Sequence, residues 1–75
     1  MNAIEVRCFA SLAKHTPAGG HAKLAVSGTA SDLLRALGIA SEEVAIIFVN
    51  GVHATETTEL QNGDRVGFFP PVSGG

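Results

Sequence analysis

The six residues Pro70-Pro71-Val72-Ser73-Gly74-Gly75 are the stretch of this 75-residue sequence best suited to chemistry. Fully extended, six residues reach roughly 20 Å. The two prolines keep the base of such an arm extended. The two glycines carry no side chain, so the tip can enter a channel where any Cβ would collide. A main-chain carboxylate on Gly75 is ionised at neutral pH, since its pKa in model peptides is about 3.3–3.7. It can attack the α-phosphate of ATP if another enzyme binds both. Terminal glycines alone are usually frayed ends. Here they follow an apolar strand, Arg65 to Phe69, and a Pro-Pro elbow, which together read as a group-carrying arm. Gly74 and Gly75 are therefore the candidate reacting residues.

No second constellation competes with the arm. His15, His21, His53 and Cys8 lack the spacing of metal ligands, and period-two alternation turns Cys8 inward. Glu42-Glu43 and Glu56/Glu59 read as solvated charges with no pocket to raise a pKa. There is no Gly-rich phosphate loop, so ATP has to be bound by a partner, and the chain itself holds no cofactor. A standalone enzyme is not expected.

Composition points the same way. Hydrophobic residues make up 45% and charged residues 16%, enough apolar content for one small domain but with a thin core. Net charge is -2 and the five Lys and Arg are scattered along the sequence, so neither nucleic acid nor an anionic membrane is an expected partner. One cysteine excludes an internal disulfide framework. No signal-peptide pattern and no run of about 18 apolar residues occurs, so a cytoplasmic protein is expected.

The elements that must position the arm follow from periodicity. Residues 3–9 alternate as a strand with Ile4, Val6 and Cys8 toward the core, which leaves Phe9 on the opposite face beside Glu5 and Arg7. Ser11 to His15 forms a helical turn, and Thr16 to Gly20 a loop. His21 to Val26 is a second strand with Ala22, Leu24 and Val26 on one face. Thr29 or Ser31 caps a helix that carries Asp32 in its first turn, a Leu33/Leu34/Leu37 stripe and Gly38 as its stop. Val44 to Val49 is continuously apolar and reads as a central strand, buried on both sides or covered by the helix. Asn50-Gly51 then makes a tight hairpin to Val52-His53-Ala54. Leu60 is a lone core anchor, and Asp64 braces the turn at Gln61 to Asp64. In the last strand Val66 and Phe68 face one way, Gly67 and Phe69 the other. Pro70-Pro71 ends pairing. The order ββαβββ is an α+β architecture, a mixed four- to five-stranded sheet with one main helix. It divides into a domain over residues 1–69 and a tail over 70–75.

The segment Arg65-Val66-Gly67-Phe68-Phe69-Pro70-Pro71-Val72-Ser73-Gly74-Gly75 resembles the C-terminal signature of MoaD, the small subunit of molybdopterin synthase. Val49-Asn50-Gly51, Asn62-Gly63-Asp64 and Val6-Arg7-Cys8-Phe9-Ala10 resemble other stretches of the same family, within the wider MoaD/ThiS group of sulfur carriers. The resemblance implies a ubiquitin-like β-grasp fold with a free Gly-Gly tail. It implies that a ubiquitin-activating-type enzyme adenylates Gly75 and that a sulfur donor converts it to a thiocarboxylate. That group then passes sulfur to an acceptor enzyme such as the large molybdopterin synthase subunit, acting on a pterin precursor. It also implies an apolar docking patch at Phe9, His53 and Phe69, continued by Pro70, Pro71 and Val72. His53 departs from the apolar residue expected at its position. Other acceptors (thiamine, thiolated tRNA, tungsten cofactor, amino acids), a lysine-conjugated modifier, and a binding module that carries no sulfur are the alternatives.

Overall fold

The computed structural model describes residues 1–72. Five strands form one mixed sheet: β1 (Asn2–Cys8), β2 (His21–Leu24), β3 (Ile46–Val49), β4 (Val52–Ala54) and β5 (Arg65–Phe69), in the order β2-β1-β5-β3-β4. Strands β1 and β5 pair in parallel at the centre, and every other pairing is antiparallel. The fold is a ubiquitin-like β-grasp, with one α-helix, α1 (Ala30–Leu37), on one face of the sheet.

Alternation decides which side chains meet the helix. Ile4, Val6 and Cys8 of β1, Val66 and Phe68 of β5, Ile47 of β3 and Leu24 of β2 are buried with Ala30, Leu33 and Leu34 of α1. Leu12, Ile39 and Leu60 complete that core. Phe68, Ile4, Leu33 and Leu60 are each 0% exposed, and burying a side chain of this size stabilises by about 1.5–3 kcal/mol. The lone Leu60 thus serves as the expected anchor.

The helix is bounded by its own sequence. Thr29 and Asp32 form a capping box: the Thr29 backbone N–H donates to Asp32 Oδ2 at 2.9 Å, and the Asp32 N–H donates to Thr29 Oγ1 at 3.3 Å. At the other end Gly38 adopts φ 76°, a left-handed conformation that favours glycine. The N–H groups of Gly38 and Ile39 then return to the carbonyls of Arg35 and Leu34. This Schellman closure places Ile39 in the core, 4% exposed.

Two expectations change. The second strand stops at Leu24, and Gly28 N–H donates to the Ala25 carbonyl, with Ser27 at φ 68°. Val26 therefore lies in a turn and is 71% exposed rather than in the core. The apolar run Val44 to Val49 does supply an interior strand, flanked by β5 and β4, but a shorter one than the run, and neither the middle strand of the sheet nor one buried on both sides. Strand β5 is central, and only Ile46 to Val49 pair as β3. The run is continuous because its two faces are apolar for different reasons. Ile47 is buried at 5% exposure under the helix layer, whereas Ile46, 38% exposed, sits on the face that no element among the described residues covers.

Candidate functional site

The uncovered face of the sheet collects residues from all five strands. Strand register sets its rows. Arg7 of β1 lies opposite Gly67 of β5, Gly67 opposite Phe48 of β3, and Phe48 opposite His53 of β4. The next row pairs Phe69 with Ile46. Phe9, just past β1, stays in line because its N–H donates to the Phe68 carbonyl at 3.1 Å.

These positions bring the aromatic rings together. Phe9 and Phe69 stack with centroids 4.3 Å apart and planes 3° from parallel. Phe48 meets Phe69 edge-on at 5.7 Å, and His53 meets Phe48 edge-on at 5.8 Å. A continuous aromatic row thus runs from Phe9 to His53. Gly67 provides its floor: a Cβ there would already stand 3.5 Å from Phe9 Cε2 and 3.7 Å from Phe69 Cε1, so a larger side chain has to displace the rings. A shallow groove of about 390 Å³ crosses this face, lined by Phe9, Phe48, Phe69, Glu5, Arg7 and Arg65 among others.

Phe9, Phe69 and His53, expected to share one patch, do share one face. The first two touch directly, while His53 joins only through Phe48. Phe48, Ile46 and the spacing role of Gly67 were not among the expected site residues. Reading residues 46–49 with period two, rather than as a run buried on both sides, would have put Ile46 and Phe48 on the open face. Pro70 is half-buried, Pro71 is exposed and Val72 is 92% exposed. Strand pairing ends as Ala45 N–H donates to the Phe69 carbonyl at 2.8 Å. Gly74 and Gly75 lie outside the described residues.

Among the described residues no cluster of three His, Cys, Asp or Glu side chains is arranged to hold a metal, and no helix is long and apolar enough to cross a membrane. Cys8 is 8% exposed, and burial pushes its thiol up, with a smaller opposing effect from a hydrogen bond with Thr16. Such a thiol is a poor nucleophile at neutral pH and serves as core.

The family model described as the ThiS family matches residues 6–75, from the second half of β1 to Gly75. The chain belongs to that family. ThiS-family proteins are small carriers rather than enzymes in themselves.

Solved structures extend the likeness. SAMP1 from Haloferax volcanii is 27% identical, with a TM-score of 0.75 over 99% of this chain and 100% of that one. A second structure of the H. volcanii small archaeal modifier protein 1 gives 24% identity and a TM-score of 0.75 over 96% and 100%. A candidate molybdopterin converting factor, subunit 1, from Pyrococcus furiosus is 26% identical, with a TM-score of 0.73 over 96% and 100%. No curated protein sequence matches.

Proposed function

We propose that this ThiS-family chain carries sulfur on the carboxyl group of Gly75. The observation behind the reading is the family match, whose bounds, residues 6–75, include Gly74 and Gly75. An adenylating enzyme would hold ATP and the arm together. Attack of the Gly75 carboxylate on the α-phosphate releases pyrophosphate and leaves an acyl-adenylate. A donor delivering sulfur at the sulfide level then displaces AMP, giving a thiocarboxylate with no change in oxidation state. The activation makes AMP a good leaving group, and the resulting sulfur is a strong nucleophile. The chain supplies no acid or base to either step. It supplies reach, a Cβ-free tip and a docking face.

In this reading Phe9, Phe69 and His53, with Phe48 between them, seat the partner enzymes, while Pro70, Pro71 and Val72 lead the tip away from the sheet. The acceptor is a pterin precursor held by a large synthase subunit. Phe68-Phe69-Pro70-Pro71 supports that choice, as does the likeness to the Pyrococcus molybdopterin converting factor candidate.

Incubation with an adenylating enzyme, ATP and a sulfide-level donor tests the carrier role by intact mass. The full chain should gain the mass of one oxygen-to-sulfur exchange, and a chain lacking Gly75 should gain nothing while staying folded. The same gain in the shortened chain would end the proposal. Activity unaffected by amidation of Gly75 would favour a binding module that carries no sulfur.

A second reading is favoured by the likeness to the Haloferax small archaeal modifier protein 1: the same activated carboxyl group forms an amide with a lysine of another protein. It predicts an isopeptide adduct through Gly75 in place of the thiocarboxylate.

A further inference from the structure

The charges of this chain are scattered in sequence and segregated in space. On the open sheet face, alternation and register place Arg7, Lys23 and Arg65 but only one acid, Glu5. Lys14 and Arg35 are then left with Asp32, Glu42, Glu43, Glu56, Glu59 and Asp64, all outside the five strands. The open face is therefore +2 and the rest of the molecule -4, which restores the overall -2. Arg7 is 74% exposed, with Nε 3.6 Å from Glu5 Oε2, and Arg65 forms no ion pair with the described residues. Both arginines line the groove that also holds Phe9, Phe48 and Phe69.

We infer that the open face selects a protein partner whose matching surface is an apolar patch bordered by carboxylates, with Arg7 and Arg65 as the residues that steer and orient it. This inference rests on the carrier reading and names the chemistry of the surface that must receive the arm. A net positive patch on a molecule of opposite net charge acts through orientation: it turns the correct face toward an acidic surface before contact. The aromatic row supplies the desolvated centre and the two guanidinium groups the polar rim. Guanidinium suits this role because its planar fork pairs with carboxylates in two places. A single-stranded nucleic acid fits less well. One face of Phe9 and one face of Phe69 already cover each other, so a base has to break that pair in order to stack.

The test is pyrophosphate exchange by the adenylating enzyme of the same organism, with this chain as the varied substrate. Arg7→Glu and Arg65→Glu should each raise KM about tenfold with kcat nearly unchanged. Raising salt from roughly 0.05 to 0.5 M should raise the unsubstituted chain's KM several-fold and flatten the difference from the variants. Lys14→Glu, the same charge change outside the sheet, should leave KM near that of the unsubstituted chain. A double Arg7→Gln/Arg65→Gln variant with an unaltered melting temperature separates docking from folding. Unchanged KM in all the arginine variants would overturn the inference while leaving the carrier role intact. Absence of exchange with the unsubstituted chain would overturn both. Tight, Arg7-dependent binding of a uridine oligonucleotide would overturn it by giving the face a different occupant.

Discussion

The Asn50 side chain joins two turns that are far apart in sequence, its Nδ2 donating to Asp64 Oδ1 at 2.9 Å. The same carboxamide accepts the Arg65 N–H at Oδ1, 3.0 Å away, and the Asn50 N–H donates to the Arg65 carbonyl at 2.7 Å. Asp64 is shared further. Its Oδ2 accepts from the Gln61 N–H at 2.8 Å, and its carbonyl accepts from the Glu5 N–H at 2.9 Å. One small polar cluster thus ties the β3–β4 hairpin, the turn before β5 and strand β1 into a single register.

Asn50 also sits at φ 54°, where asparagine is tolerated better than most residues. Asn50→Ala removes two hydrogen bonds and leaves a strained backbone, which should lower stability by about 2 kcal/mol. Urea unfolding measures this. Because Asn50 and Asp64 share one cluster, the Asn50→Ala/Asp64→Ala double variant should lose less than the sum of the singles, by about 0.5–1 kcal/mol. Strict additivity would mean the bridge is not coupled.

The stack of Phe9 on Phe69 should matter more to partners than to folding. Both rings lie on the open face, outside the core, and an aromatic pair of this kind contributes about 0.5–1.5 kcal/mol beyond its area. Phe69→Ala is expected to lower stability by about 1–2 kcal/mol and to raise KM for adenylation at least tenfold, the loss typical of a central aromatic anchor. Melting curves and exchange kinetics on the same sample distinguish the two effects. A large fall in melting temperature with unaltered KM would assign Phe69 to the fold instead.

Gly67 is an unpromising residue for the central strand of a sheet, since glycine there gives up packing and backbone order. Its value lies in the space it leaves for the rings. Gly67→Leu should keep the fold within about 1 kcal/mol, yet tilt Phe9 and Phe69 and weaken docking as much as losing a ring. Aromatic proton shifts in NMR spectra report the ring positions directly. If those shifts stay put, the spacing argument is wrong.

Asp32 gives the chain a pH-dependent helix cap. The Thr29 backbone N–H holds its carboxyl below the usual carboxylate range against an opposing desolvation effect, with the Thr29 hydroxyl and Arg35 adding smaller effects in the lowering direction. A carboxyl lowered in the folded state contributes stability above its unfolded pKa and loses that contribution as pH falls through the folded value. The unsubstituted chain should therefore melt higher than Asp32→Asn at pH 7, and the gap should close on acidification below the carboxylate range. A gap of constant size down to pH 2 would show that the charge plays no part in the cap.

Much of this protein can be read from local pattern. The Thr29/Asp32 cap, the Gly38 stop, the Asn50-Gly51 hairpin and the inward set of β1 each depend on residues within a few positions of one another, and each appears as the sequence indicates. Val26 and β3 were harder to read. For Val26, alternation says which way a side chain would point if the strand continued, but not that the chain turns after Leu24. For Val44 to Val49, an apolar run does not reveal whether a second layer covers both faces of the sheet.

Sequence alone determined the order of an apolar strand, two prolines and two glycines, because covalent neighbours set it; the arm proposed above is read from those residue types. Sequence also determined that Phe9 opposes the core, because strand side chains alternate whatever they pair with. Tertiary structure decided the aromatic row on the open face. Phe9, Phe48, Phe69 and His53 come from four separate stretches, and only the order β2-β1-β5-β3-β4 and its register make them one row. The same register gathers Arg7, Lys23 and Arg65 from a sequence in which they look dispersed. A surface that depends on strand pairing over dozens of residues leaves no local signature, because neighbours in space are set by hydrogen bonding between strands rather than by the chain between them.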